Sequence, residues 1–333
     1  MSLRRRTLGL TVAAVAAALV LTGCVAGEDA PAESAAPGDA GTSITLDWAT
    51  YNPLSLIVKD QGWLEEDGYE VEWVQSLGSS KANEALRAGA IDFGSTAGSA
   101  ALLARANGAP QQIVDVVAQP EWAALVVPAG SDITSVADLK GKRIAAALGT
   151  DPYFFLVQAL EENGLSVDDV TVENLLHPDG WGALQSGSVD AWSGLDPIMA
   201  TAEASGAELV YRNLDFNSFS VLNATEEIIA QNPEAVQAVV DAYERARGWA
   251  LENPEETAQI LADAAVIDLA VAQKVIDERE GLDTDPIPGP ALADVLAPIG
   301  EIQVALGDVT SQDAIDTALD TLFAPQFAEK AVG

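Results

Sequence analysis

The chain has 333 residues, and its 16 lysines and arginines stand against 51 aspartates and glutamates, a formal net charge of −35. That field repels phosphate backbones and argues against a nucleic-acid partner; one cysteine and one histidine exclude a disulfide framework and the usual zinc ligand sets. With 49% apolar and 20% charged residues the chain is too apolar for disorder, and at roughly 100–200 residues per domain its length suits about two domains.

Arg4, Arg5 and Arg6 precede a run from Leu8 to Leu21 that is apolar apart from Gly9 and Thr11. This run is shorter than the roughly 20 residues of a membrane span and fits the apolar region of a signal peptide. Leu21-Thr22-Gly23-Cys24 follows and resembles the bacterial lipobox, with cleavage before Cys24 and a lipid on its thiol. Residues 1–23 are therefore expected to be a lipoprotein signal peptide. Residues 24–42, rich in Ala, Gly, Pro and acid, are expected to be a flexible tether.

From Ile44 the pattern alternates strand and helix. Ile44–Trp48, Tyr69–Val74, Ile91–Phe93, Ile113–Ala118 and Ala123–Val127 read as strands. Pro53–Glu66, the segment from Ser79 or Ser80 to Arg87, and Ala97–Ala106 read as helices. A second unit begins near Pro128. Its predicted strands are Arg143–Ala147, Val170–Leu176, Val189–Trp192, Leu209–Tyr211 and Phe219–Leu222. Its helices are Pro152–Asn163 and Pro197–Ser205, with a helical turn at Trp181–Ser186. Such alternation implies mostly parallel sheets covered by helices. Beyond Thr225 the pattern is helical: Pro233–Leu251, Pro254–Ala264, Leu269–Arg279, Ala291–Val304 and Ser311–Leu322. Pro233 and Pro254 suit first-turn positions, where a missing N–H costs nothing.

Four stretches carry a resemblance to a known family. They are Leu86 to Thr96 (LRAGAIDFGST), Val136 to Ala145 (VADLKGKRIA), Gly149-Thr150-Asp151 leading into a helix, and Gly187 to Trp192 (GSVDAW) followed by Asp196-Pro197. In this order and spacing they resemble the solute-binding proteins of bacterial ABC importers, in the group that takes up sulfonates, taurine, nitrate and thiamine precursors. The resemblance covers nearly all of residues 43–325. It implies an α/β fold: a two-lobed clamshell of the periplasmic-binding-protein kind, with two interlobe crossovers and a helical C-terminal region. Lobe 1 would comprise residues 43–123 plus 223–325, and lobe 2 residues 124–222. It further implies a monomer with no enzymatic activity and no cofactor or metal. Its partners would be a small-molecule solute, an ABC permease with its ATPase, and the outer face of the cell membrane through the lipid anchor. A secreted hydrolase is the alternative of another class, but no G-x-S-x-G elbow, H-E-x-x-H motif or Walker loop supports it.

Open sheets of this type bind ligands beyond the carboxyl ends of their strands. That rule selects the loops 49–53, 95–98, 119–122, 149–153 and 193–197, where the family's binding positions also fall. The candidate ligand contacts are Trp48, Tyr51, Asn52, Ser95, Thr96, Glu121, Trp122, Thr150, Asp151, Tyr153, His177, Trp192 and Asp196, with Trp181 nearby. Each has a plainer reading too: Ser95-Thr96 as helix caps, Trp48 as core, Glu121 as surface charge, His177-Pro178-Asp179-Gly180 as a turn. Ser95-Thr96 and Thr150 are expected to open two helices that face each other and offer N–H groups and hydroxyls to an oxyanion. Relatives often carry Ser or Thr where this chain has Asp151, and that carboxylate competes with an anion. Leu195 and Ile198 replace the Trp and Tyr that often flank Asp-Pro. No Lys or Arg falls on the five loops. The expected solute is a small organosulfonate, including taurine-like zwitterions; an aminopyrimidine of the thiamine-precursor kind remains the alternative.

Overall fold

The computed structural model describes residues 42–333. The signal peptide, Cys24 and all but the last residue of the tether lie outside the described residues. In chain order the first elements are β1 (Ser43–Trp48), α1 (Pro53–Gln61), α2 (Trp63–Glu66), β2 (Glu70–Gln75), α3 (Ser79–Arg87), β3 (Phe93–Ala97), α4 (Gly98–Ala106) and β4 (Gln111–Ala118). Next come β5 (Ala123–Val127), β6 (Arg143–Ala146), α5 (Asp151–Glu162), β7 (Thr171–Asn174), α6 (His177–Gln185), β8 (Ala191–Leu195), α7 (Ile198–Ala204), β9 (Glu208–Tyr211) and β10 (Ser220–Thr225). The chain ends in α8 (Glu226–Gln231), α9 (Pro233–Glu252), α10 (Pro254–Ala265), α11 (Leu269–Glu278), α12 (Pro290–Ala305), α13 (Gln312–Thr321) and α14 (Gln326–Val332).

Two five-stranded sheets result, ordered β2-β1-β3-β10-β4 and β7-β6-β8-β5-β9. Their designs match. In each, the fourth strand runs antiparallel to both neighbours: β10 between β3 and β4, β5 between β8 and β9. Those two strands flank the crossings. The chain leaves the first sheet after β4 and enters the second on β5; it leaves the second after β9 and re-enters the first on β10. Each sheet is thus completed by a strand laid down straight after a crossing. This is the periplasmic-binding-protein-like architecture, a two-lobed α/β body with a helical C-terminal region.

Local chemistry explains the element starts. Asn52 caps α1, its side chain accepting from the Ser55 N–H, and Pro53 takes the first turn. Asn232 and Pro233 repeat the device at α9. The C-terminal helices clasp both lobes. α12 packs on α4 of the first lobe and α5 of the second, inside one apolar cluster that includes Phe155, Leu292, Leu296 and Ile299. Ala200 of α7 packs with Leu261, Val271 and Val275 of α10 and α11.

Two local expectations change. Ser95 and Thr96 do not open a helix. They sit in β3, and α4 starts at Gly98. The run Gly94-Ser95-Thr96-Ala97 looks like a cap because its residues are small, yet β3 pairs with β10, which lies more than 120 residues downstream. Residues 177–180 are not a turn either: they are the first turn of α6, which starts four residues before the predicted helical turn.

Candidate functional site

Loops at the carboxyl ends of both sheets meet in a narrow cleft. Between the lobes lies a cavity of about 40 Å³. Thr50, Tyr51 and Ser76, from the loops after β1 and β2, line one side; His177, Leu195 and Asp196, from α6 and the end of β8, line the other. This space holds one or two waters, so a solute enters only as the lobes part. A broader hollow of about 400 Å³ opens between α3, α4 and Gly149. Its lining includes exposed Glu84 and Arg87, with Asn83 the buried polar group, whereas the smaller cavity gathers buried polar groups from both sheets and is the better candidate.

His177 is 2% exposed, and neither ring nitrogen has a partner. Burial pushes its pKa down to about 4, so the imidazole is neutral and offers one donor and one acceptor. The lobes approach closely here because position 78 is glycine. A Cβ on Gly78 would lie 3.3 Å from His177 Nε2, and its φ of 140° disfavours any side chain.

Asp196 accepts from the Ala200 N–H at 2.8 Å and from Arg279 Nη1 at 3.1 Å. Arg279 follows α11, 83 residues away, and also binds Glu203, which pairs with Lys274. The segment after Arg279 runs along the first crossing: Glu121 N–H donates to Arg279 O, and Gln119 N–H to Gly281 O. A Cβ on Gly281 would come within 2.3 Å of Gln119 O, and φ there is +62°. Burial is the largest influence on Asp196 and pushes its pKa up to about 6 against the pull of Arg279. Burial, reinforced by Asp196, pushes Glu280 up to about 8, and Glu280 Oε1 has no partner. Behind Tyr51, Asp47 is buried, accepts from the N–H and hydroxyl of Ser95, and is pushed up to about 6 by burial. Asp47, Asp196 and Glu280 thus crowd this region, while Arg279 is already engaged.

A second junction lies beside the cavity, linked to it by an edge-on contact between Tyr51 and Trp122 with ring centroids 6.2 Å apart. Its centre is the Asp151 carboxylate, 1% exposed. Oδ1 accepts from Ser99 Oγ and Ser218 Oγ, both at 2.6 Å; Oδ2 accepts from the Ser218 N–H and Trp122 Nε1, both at 2.8 Å. Burial raises the Asp151 pKa and these donors oppose it.

The structure therefore brings Tyr51, His177 and Asp196 to the cavity, with Asn52 and Ser95 behind them: Tyr51 donates to Ser95 O, and Asn52 Nδ2 to Ser95 Oγ. Trp122 and Asp151 meet in the neighbouring knot. Other candidates lie elsewhere. Thr96 Oγ1 accepts from Asn223 Nδ2 on the opposite side of β3. Thr150 donates to Ala147 O. Glu121 holds Arg212 through both oxygens. Trp48 lies under Lys59, 5.4 Å from its ring centre. Tyr153 packs on Phe154, and Trp192 is sealed in the second lobe's core against Trp181. Asp47, Ser76, Ser99, Ser218, Arg279 and Glu280 were not among the sequence candidates. Arg279-Glu280-Gly281, a charged pair ended by a helix-stopping glycine, was the readable signal for the last two.

A two-lobed body whose cleft closes over polar groups from both sheets defines the class of solute-binding folds. The chain belongs to the NMT1/THI5-like family, whose model matches residues 54–257. A protein of Escherichia coli (strain K12) named for binding aliphatic sulfonates is 29% identical over 221 residues, 66% of this chain and 69% of its own. The periplasmic aliphatic sulphonate binding protein SsuA from Escherichia coli superposes with a TM-score of 0.74 at 25% identity, covering 85% of this chain and 92% of its own. The alkanesulfonate-binding SsuA of Xanthomonas axonopodis pv. citri, bound to MOPS, gives 0.77 at 24% identity, covering 83% and 97%, and shows the shared fold.

Proposed function

We propose that this protein is the extracytoplasmic capture component of an ABC importer, held to the membrane by a lipid on Cys24, and that it closes its two lobes on a small solute for delivery to a permease and ATPase. The observation that carries this reading is the interlobe cavity. His177 and Asp196 face Tyr51 and Ser76 across it, so binding and closure are one event. Replacing Cys24 with Ala should release the protein from membranes in detergent phase separation; retention there would sink the anchor.

Once the lobes part, the groups that line the cavity suit a compact nitrogenous solute bearing hydrogen-bond donors, such as an aminopyrimidine. Asp196 supplies an acceptor, neutral His177 supplies one donor and one acceptor, and Tyr51 supplies a ring face. The second reading is an aliphatic sulfonate, favoured by the relatives named for that ligand. Calorimetric titration of the protein with an aminopyrimidine, taurine and a short alkanesulfonate separates the two. Binding of the aminopyrimidine that strengthens as pH rises through about 6, where Asp196 ionises, supports the first reading. Tight alkanesulfonate binding with no response to the aminopyrimidine overturns it.

A further inference from the structure

The donors around Asp151 form a complete anion cradle. Two serine hydroxyls, a main-chain N–H and an indole N–H converge on one carboxylate. Ser99 comes from α4 of the first lobe, Trp122 and Ser218 come from the two crossing segments, and Asp151 itself opens α5 of the second lobe. A fifth contact, Ser99 N–H to Ser218 Oγ at 3.0 Å, aims the Ser218 hydroxyl at the carboxylate. All four donors are neutral, and the Ser218 hydroxyl already accepts from the Ser99 N–H. Such a set suits an ionised, acceptor-only head group held where two helices begin. In this chain that place is filled from within.

We propose that Asp151 is a specificity-determining residue: its carboxylate stands where an oxyanionic head group would be held, and so bars sulfonate-type and sulfate-type anions from the hinge end of the cleft. A free anion would have to displace a tethered one that already has all its hydrogen bonds, or share the cradle with it. In a buried space neither is favourable, because like charges at contact repel strongly when water is excluded. The resident carboxylate also ties both crossings to α5, so the contact that excludes the anion holds the lobes together. The inference rests on the cleft being a solute site, but its test uses inorganic and one-carbon anions and does not depend on which solute the cavity takes.

The experiment is calorimetric titration of sodium methanesulfonate and sodium sulfate into the wild type, Asp151→Ser and Asp151→Asn at constant ionic strength. Asp151→Ser removes the carboxylate and leaves the donors; it should bind methanesulfonate at least about tenfold more tightly than the wild type. Asp151→Asn fills the same space with an uncharged amide and should show no such gain. A folded Asp151→Ser protein with no gain over the wild type overturns the proposal. So does a wild type that itself binds methanesulfonate with a Kd below about 100 μM, an arm that holds whether or not the variants fold. Should Asp151→Ser fail to fold, Asp151→Gly replaces it, with the same gain required. Failure of the aminopyrimidine titration alone would sink the proposed solute and leave this result standing.

Discussion

The two junctions that join the lobes are built on opposite terms. Around Asp151 both carboxylate oxygens are satisfied, by donors from three separate parts of the chain. At the cavity both nitrogens of His177 are buried and left open, as is Oε1 of Glu280 near Asp196. A satisfied buried network rigidifies, whereas an unsatisfied one is costly until something completes it. The contrast separates a structural clasp from a binding surface, although the two touch through Tyr51 and Trp122. It also gives the native fold a reason to keep a small void there, since a solute recovers what the empty site forgoes.

The largest expected effect comes from breaking the ion pair at the cavity's edge. Asp196→Ala leaves Arg279, which is 3% exposed, with only the partly exposed Glu203 as a partner; removing one partner of a buried pair costs about 3–5 kcal/mol, and Glu203 offsets part of that. Arg279→Met should cost less at pH 5 than at pH 7, because Asp196 can take up a proton where Arg279 cannot. Urea unfolding at the two pH values measures both. Equal losses for the two variants at pH 5 would mean the pair is not buried as described.

Glu280 gives the next largest effect, with the opposite sign. Its pKa near 8 in the fold exceeds the ordinary value of 4.5. The stability it lends is therefore present in acid and is lost as pH rises from about 4.5 to 8. Glu280→Gln should stabilise the protein at pH 7 by on the order of 3 kcal/mol and flatten its unfolding free energy between pH 5 and 8. Asp47 and Asp196 act in the same direction between about 4 and 6. His177 acts oppositely: its lowered pKa makes stability fall as pH drops from about 6.5 toward 4. A Glu280→Gln protein less stable than the wild type at pH 8 would show that the carboxylate has a cation partner.

Much of the architecture is legible in the chain because alternation needs only local pattern. The strands from Ile44 to Val127 and the helices from Pro233 onward are found within a few residues of their predicted limits. The cleft is less legible. Asp196 lies on a loop that the strand-end rule selects and His177 opens α6 just after a predicted strand, but Arg279 reaches Asp196 from a helical region with no local sign that it turns back. Ser95 and Thr96 illustrate the other difficulty. Alternation along β3 sends Ser95 toward Asp47 and Thr96 toward Asn223, and that register depends on a strand from the far side of a lobe. The sequence marks Asp151 as a competitor for an anion, yet its four donors come from residues 99, 122 and 218, which no spacing rule joins.

His177→Ala should lower solute affinity by about fivefold to tenfold, the worth of one neutral hydrogen bond. It should leave the melting temperature unchanged or raise it at pH 5, where the neutral imidazole no longer has to resist protonation. A loss of both affinity and stability would make His177 part of the clasp.

The smallest effect belongs to Glu121, a candidate ligand contact from its place at the first crossing. Its carboxylate instead grips Arg212 through two hydrogen bonds, at 3.0 and 2.6 Å, with both side chains partly exposed. A pair in that setting gains little from Coulomb attraction and spends side-chain entropy to stay formed, so it is worth about 0–1 kcal/mol. Glu121→Gln should therefore lower the unfolding free energy by less than about 1 kcal/mol, and 0.5 M salt should erase most of that difference. Solute affinity should stay within a factor of two, because the donors of an amine that enters the cavity meet Asp196 first. Calorimetry on this variant beside His177→Ala sharpens the contrast between the junctions: the crossing segment supplies Trp122 to the clasp, while the charge next to it serves the surface. A tenfold loss of affinity in Glu121→Gln would move the solute's positive end out of the cavity and onto the crossing.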